Sequence, residues 1–370
     1  MASNHVLIVG AGVLGLSCAI QLSRSSVHDK VTVIARDLPG DTSIDYASPW
    51  AGAHFRPSPA KTATDQFEQQ LMRETYTELE HLAEAHPEAG VRFVPAIEYF
   101  DSADENIVLA KENGYIDWPD FRLLRSDEYP ANAGGHDAGE QSPIRLGVSY
   151  RGWILNSPLY LEWCRRVAER QGVVFIRASV TSMADAVSVF RRESRADEKE
   201  QVVRAVINAT GRGIDDPDSF PSRGQFIIVS NPCDRTISHH WADGSSTVIV
   251  PRPLGGGTVI GGTKEPGNWS EDISDEATEA ILKRVAAICP EMVDGQTAAA
   301  TAKTHGFHIR QVYVARRPMR RGGLRLEKEI MEGGTPLIHC YGAGASGFKV
   351  SWGVAKHVEA LVREIRLASQ

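Results

Sequence analysis

The stretch HVLIVGAGVLGLSCAIQLSRS, residues 5–25, constrains this fold more than any other part of the chain. Val6 to Val9 form a continuous apolar run, the pattern of a strand buried on both faces. Gly10, Gly12 and Gly15 follow at G-x-G-x-x-G spacing, and Leu14, Cys18, Ile20 and Leu22 then supply the apolar face of a helix. KVTVIARD returns as a second strand, Val31 to Ala35, closing a βαβ unit. The first glycine permits the tight turn. The second lets the backbone approach a pyrophosphate, and the third lets the helix pack on the strand. The helix N-terminus presents N–H donors and a positive dipole end to phosphate. A dinucleotide is the expected ligand, and the motif by itself does not separate FAD from NAD. An acidic residue is expected at the end of the second strand to bind ribose. That position is Ala35, followed by Arg36 and Asp37. Either Asp37 reaches the ribose, or Arg36 and backbone groups serve the adenosine side.

Further along, Asp65 to Ala85 has helical periodicity, with Phe67, Leu71, Leu79 and Leu82 near one face, and VRFVPAIEYFD alternates as a strand. Asn132 to Gln141 has no periodicity and reads as a loop. SPLYLEWCRRVAERQG is a helix with Pro158 in its first turn and Gly172 past its end. VVFIRASV and VVRAVINATGRG follow as strands, and GQFIIVS, STVIVPRP and GTVIGGT make the middle of the chain rich in β structure. Asp275 to Cys289 is a helix. PLIHCYGAGASG is a strand entering a Gly-rich turn, and a last helix runs from about Val350 to Leu367. A chain of 370 residues is long enough for two lobes. Because nucleotide-type units open and close it, the expected fold is α/β: a Rossmann-like nucleotide-binding lobe with an inserted β-rich substrate lobe. The nucleotide lobe takes residues 1–55, 140–225 and 335–370; the substrate lobe takes 56–139 and 226–334.

A formal net charge of −7 excludes the broad positive field that non-specific nucleic-acid binding needs. Five scattered cysteines without a CxxC pair fit neither a disulfide framework nor a zinc site and read as reduced thiols. His239 and His240 would point to opposite faces of a strand, so no metal site is expected there. Two glycosylation-type triplets, at Asn208 and Asn268, read as chance matches. The N-terminus lacks a basic n-region, no apolar run reaches membrane-spanning length, and the C-terminus is not S-K-L, so the cytoplasm is the expected compartment and a membrane is not an expected partner.

ARRPMRRGGLRLE, Ala315 to Glu327, places five arginines in thirteen residues. With VGAGVLGLS, VTVIARDLPGDTS, YASPWAGAHFRP, LNSPLYL, SRGQ, GGTKEPGNWSED and LIHCYGAGASGFKVSWGVA, it resembles the D-amino-acid oxidase family of flavoproteins, which includes D-aspartate oxidases. The match spans nearly the whole chain, and YASPWAGAHFRP is most like fungal members. Cys340 stands where the family usually has Asn, His or Ala.

The resemblance implies FAD as cofactor. It also implies oxidative deamination of a D-amino acid, with hydride passing from Cα to flavin N5 and oxygen reoxidising the flavin. The products would be a 2-oxo acid, ammonia and hydrogen peroxide. The partners it implies are a small-molecule D-amino acid and oxygen, and it leaves room for a homodimer. It makes Arg317, in the R-P pair with Pro318, the group that grips the substrate carboxylate. A planar guanidinium suits that task because it pairs with both carboxylate oxygens. By the same resemblance the cofactor is held by Gly10, Ala11, Gly12, Val13, Leu14, Gly15, Arg36, Asp37, Ser48, Gly52 and Ala53. The turn of Gly342, Gly344, Ala345, Ser346, Gly347, Phe348 and Lys349 completes the set. Strand alternation puts Arg317 on one face with Met319 and Arg321, opposite Arg316 and Arg320. The four arginines other than Arg317 are read as solvated or structural.

Three departures from the family bear on the substrate. TVIVPRP puts Val248 where members often carry a carboxylate-binding tyrosine, so that one carboxylate hydrogen bond is either missing or, with the loop shifted, supplied by Thr247, Ser245 or Ser246. The resemblance places His54 and Arg56 near the substrate side of the flavin and Lys349 in the C-terminal segment lining the site. A second anion on the substrate, as in D-aspartate or D-glutamate, would explain these cations. An amine or imino-acid oxidase of a biosynthetic pathway on the same scaffold is a further alternative.

Overall fold

A computed structural model describes residues 3–25, 29–130, 144–194, 201–293 and 304–368. The loop read from Asn132 to Gln141 lies outside them. The chain builds two sheets. The first contains β1 (Ser3–Val9), β2 (Asp29–Ala35), β6 (Val174–Arg177), β7 (Gln201–Asn208), β14 (Arg325–Ile330) and β15 (Pro336–Tyr341) in the order β14-β15-β7-β1-β2-β6. All its pairings are parallel except the edge pair β14–β15. β1 is central, and Val6, Leu7 and Ile8 are fully buried, as a strand covered on both faces requires.

The second sheet contains β3 (Val91–Phe100), β4 (Arg122–Leu123), β5 (Leu146–Leu155), β8 (Ser219–Val229), β9 (Thr236–His240), β10 (Ser246–Pro251), β11 (Thr258–Gly261), β12 (Glu265–Pro266) and β13 (Ile309–Arg320). Its order is β12-β8-β11-β10-β9-β3-β5-β4, with β13 on the other side of β8. β3 and β9 run parallel, and the other pairs are antiparallel.

The helices are α1 (Val13–Ser25), α2 (Ala63–Ala85), the single turn α3 (Glu105–Val108), α4 (Ser157–Arg170), α5 (Met183–Glu193), α6 (Asp275–Ile288) and α7 (Gly347–Ala368). α2 opens on a capping box between Thr62 and Asp65. Its buried Thr75 Oγ1 accepts from the backbone N–H groups of Trp352 and Gly353 at 3.2 and 3.0 Å, locking α2 to α7. A Cβ on Gly353 would meet the Leu71 carbonyl oxygen at 2.4 Å, so this crossing requires glycine.

Sheet membership departs from the expected lobe bounds at four elements. β5, inside 140–225, belongs to the second sheet, and β8 enters that sheet at Ser219. β14, inside 226–334, edges the first sheet, and α2, inside 56–139, packs on α7 of the nucleotide lobe. Alternation and apolar runs identify strands and helices but do not say which neighbour they will join. Both glycosylation-type asparagines have occupied amides: Asn208 is buried against His339, and Asn268 donates to Glu265 at 2.6 Å.

Candidate active site

The N-terminal turn is built so that side chains are excluded. Gly10 has φ of +111°, and a Cβ there would lie 2.4 Å from the Ala209 carbonyl oxygen. A Cβ on Gly15 would lie 2.0 Å from the carbonyl oxygen of Gly10, so the helix closes directly on the turn. Ser48 Oγ accepts from the Val13 N–H at 3.0 Å, and Tyr46 donates its hydroxyl to the Ala11 carbonyl at 2.6 Å. The segment from Tyr46 to Ser48 therefore walls the start of α1. Arg36 and Asp37 pair with each other at 2.6 Å where β2 ends.

The second Gly-rich turn arrives at the same place. Gly342 donates to the Gly211 carbonyl at 2.7 Å, and Gly344 donates to the Pro318 carbonyl at 3.0 Å. A Cβ on Gly347 would meet Val13 Cγ1 at 3.5 Å, so the N-termini of α7 and α1 abut. Ala345 sits at the exposed tip of the turn, with Ser346 beside it, and Phe348 is buried against Tyr160. Two helix N-termini and two turns that exclude side chains are the features needed for a dinucleotide with a pyrophosphate and an anionic ring edge. The residues present fit FAD.

β13 brings Arg317 to the end of this cradle. Met319, two residues on, lies 2.7 Å from a Cβ placed on Gly344. The Arg317 guanidinium lies over Gly224 of β8, where an added Cβ would fall 2.5 Å from its nitrogen, and its centre is 5.2 Å from the Phe226 ring. It donates to the Arg223 carbonyl at 3.4 Å and the Thr263 carbonyl at 3.2 Å. Among the described residues it has no acidic partner. Burial, and then the charge of Arg56, disfavours its cationic form; Tyr313 and Glu265 offset part of that. A partly buried guanidinium met only by two long carbonyl contacts retains donors for an incoming carboxylate.

The other arginines of the run are all committed. Arg316 is buried and pairs with Asp45 and Glu271 at 3.1 Å each. Arg320 pairs with Asp216 at 2.8 Å, and Arg325 bonds Glu327 and Glu329. β13 ends at Arg320, so Arg321 does not stay on the Arg317 face. It is exposed and turns towards Asp218.

Val248 packs with Phe226, Tyr313 and Trp50 in one apolar cluster. Two of the proposed substitutes for the missing tyrosine are engaged elsewhere. Thr247, on the opposite face of β10, accepts from Trp241 Nε1 at 2.9 Å, and Ser245 Oγ accepts from Arg284 at 3.1 Å. Instead Tyr313, on the Arg317 face of β13, stacks between Trp50 and Phe226 and donates to the Trp50 carbonyl at 2.9 Å. Tyr313 lies on β13 four residues before Arg317, away from the β10 segment where the family's tyrosine is expected.

His54, Arg56 and Lys349 fall together. Lys349 is buried and donates through Nζ to the Arg56 carbonyl at 3.1 Å and to Ser58 Oγ at 2.9 Å. Burial first, and then Arg56, pushes its pKa down to about 7. Burial and Arg56 likewise press His54 down to about 3, so it is neutral at ordinary pH. Arg56 has no ion pair among the described residues. The nearby anion is Glu98, fully buried on β3, which accepts from Tyr115, Tyr150 and His240. Burial would raise its pKa, but His240, Arg56 and Tyr150 hold it below the usual range. His239 is separately paired to Asp101 at 2.7 Å, so the two histidines serve opposite faces of β9.

Arg252 is a further residue that the sequence did not single out. Buried at the end of β10, it donates to the carbonyls of Pro49, Ala51 and Gly52 and so fixes the segment carrying Ser48, Gly52 and Ala53. Its signal was only an arginine in an otherwise apolar strand end.

A family model described as FAD dependent oxidoreductase, DAO, matches residues 5–361. The chain belongs to this family. A D-aspartate oxidase of Talaromyces thermophilus is 35% identical, covering 97% of this chain and 95% of the relative. A D-amino-acid oxidase of Schizosaccharomyces pombe is 32% identical, covering 95% and 94%. Glycine oxidase from Geobacillus kaustophilus superposes with a TM-score of 0.69 at 18% identity, over 97% of this oxidoreductase and 94% of the neighbour, and shares its fold. Among the described residues no helix is long and apolar enough to cross a membrane.

Proposed function

We propose that this oxidoreductase deaminates D-amino acids oxidatively, giving a 2-oxo acid, ammonia and hydrogen peroxide. The observation that carries this reading is Arg317, a guanidinium without an acidic partner among the described residues, on the strand end that abuts the Gly342–Gly347 turn. FAD, when bound, supplies the hydride acceptor and passes the electrons on to oxygen. Gly10, Gly12, Gly15 and the start of α1 would hold its phosphates, and the turn before α7 would face its ring. Arg317 would take the substrate carboxylate in a two-point pair, fixing Cα by position. Trp50, Tyr313, Phe226 and Val248 would exclude water beside it. No general base is required, because the lone pair of a neutral amine drives loss of hydride. Anaerobic bleaching of the bound flavin across panels of D- and L-amino acids tests the reading. Bleaching by D-forms alone supports it, and no bleaching by any amino acid overturns it.

Arg56 and Lys349 favour a narrower reading, a preference for dicarboxylic D-amino acids. Arg56 lies close to both Lys349 and Arg317; neither Arg56 nor Lys349 has an ion pair among the described residues, and the nearby Glu98 is already held by Tyr115, Tyr150 and His240, so the cations would take a second carboxylate. Its support among relatives is the D-aspartate oxidase. Replacing Arg56→Gln should lower kcat/KM for D-aspartate by roughly ten- to a hundredfold while changing D-alanine less than about threefold, the range for a rim-to-buried charge pair. Equal losses on both substrates would remove the side-chain site.

A further inference from the structure

The described cysteines contain two thiol–thiol contacts that the catalytic site does not use. One joins Cys18 of α1 to Cys340 of β15, both with no exposure. The other joins Cys233, in the connection from β8 to β9, to Cys289 at the end of α6. Cys233 is only half-buried, whereas Cys289 is buried. Specific bonds pin the two segments together on both sides of this contact. Asn231 donates to the Met292 carbonyl at 2.8 Å, and Arg235 bonds the Glu291 carboxylate. Cys233 also packs on the apolar cluster containing Cys289, Ile288 and Met292. The two cysteines are thus placed side by side between two fixed chain segments, and both are free thiols.

We propose that Cys233 and Cys289 form a redox-sensitive disulfide, driven by the hydrogen peroxide that the oxidase reaction releases. This rests on the oxidase reading for its source of oxidant. The Cys289 thiol, hydrogen-bonded to the Cys233 sulfur, and then the backbone and charge of Arg235 pull the Cys233 pKa down to about 7, although burial opposes them. Cys233 is the more accessible of the two thiols, so it is the one that meets peroxide first. Reactive cysteines are those with thiolate character and solvent access. In the first step the Cys233 thiolate attacks one peroxide oxygen, an S–O bond forms, and the O–O bond breaks. Cys233 becomes a sulfenic acid, and the departing hydroxide takes a proton to give water. In the second step the Cys289 sulfur attacks the sulfenic sulfur and loses its proton. The S–S bond forms as hydroxide leaves and becomes a second water. Two thiols and one peroxide give one disulfide and two waters, the sulfurs being oxidised and the peroxide reduced. Cys18 and Cys340 provide an internal control, because both are fully buried.

The test uses the holoenzyme in two arms, one turning over D-amino acid in air and one given reagent hydrogen peroxide without substrate. Free thiols are alkylated under denaturing conditions, and non-reduced peptides are mapped by mass spectrometry. The expected result in both arms is a peptide joining Cys233 to Cys289, reversed by dithiothreitol, with Cys18, Cys164 and Cys340 still alkylated. Catalase should abolish the link in the turnover arm. The disulfide form should melt roughly 3–6 °C higher, because the link closes a long loop in the unfolded chain. In Cys289→Ser, the nucleophilic step should stop at a Cys233 sulfenic acid trapped by dimedone. Both thiols remaining alkylatable after reagent peroxide would overturn the proposal, as would overoxidation of Cys233 without a link in the unmodified enzyme. A link in the reagent arm but not during turnover would instead place the failure in the oxidase reading.

Discussion

Arg316 and Arg317 are adjacent on β13 and differ in their acidic partners. Arg316 is buried with two carboxylates and a carbonyl around it, so its charge is spent on joining β13 to Asp45 and to Glu271. Arg317 is turned to the other face, over a glycine and a phenyl ring, with two carbonyls and, among the described residues, no acid. A buried guanidinium whose carboxylates are in place has its donors occupied, and one met only by two carbonyls keeps donors free. Neighbouring identical residues thus take different roles because a strand sends alternate side chains to different surroundings.

Removing each arginine is the most direct way to break this contrast. Arg317→Ala should retain the fold and the flavin but lose roughly 3–5 kcal/mol of transition-state binding in kcat/KM, the cost of deleting one partner of a buried pair. A loss below threefold, read by steady-state oxygen uptake, would deny it the clamp role. Gly224→Ala reaches the same clamp without touching its charge. A methyl 2.5 Å from the guanidinium must displace it, so kcat/KM should fall roughly ten- to a hundredfold with KM rising most. Unchanged kinetics would mean that the guanidinium position is not what matters. Arg316→Ala should do the reverse, lowering unfolding free energy by roughly 1–3 kcal/mol while kcat/KM stays within about threefold. Urea melts and kinetics on the same preparation separate these effects.

The smallest effect concerns Lys349. With its pKa pushed down to about 7 by burial and Arg56, it is charged below that pH and neutral above it. Its attraction for a second carboxylate is therefore present at low pH and fades as pH rises through neutrality. The ratio of KM for D-aspartate to KM for D-alanine should rise a few-fold from pH 6 to pH 8, on the scale of one partly screened charge. Lys349→Gln should flatten that rise. A ratio already flat in the unmodified enzyme would place Lys349 outside the anion site.

Much of the nucleotide lobe was legible because its constraints are local. Gly10, Gly12 and Gly15 state their spacing within one turn, and the apolar runs of β1 and β7 declare strands buried on both faces. The resemblance then singled out Arg317 by its Pro318 neighbour. What could not be read was partnership. Tyr313 meets Trp50, and Arg252 clamps Ala51 and Gly52, across about two hundred or more residues of chain. β5, β14 and α2 look like ordinary strands and helix until the elements they join are known.

The sequence alone determined the βαβ opening, the Gly-rich turn before the last helix and the family to which the arginine-proline pair points, because these depend on residues that are close in the chain. The tertiary structure decided which arginine lacks a carboxylate. It also decided that Val248 sits in an aromatic wall with Tyr313, and that Lys349 shares its surroundings with Arg56. Charge and hydrogen-bond satisfaction are properties of neighbours in space, and those neighbours are chosen by how two sheets and α7 close on one another.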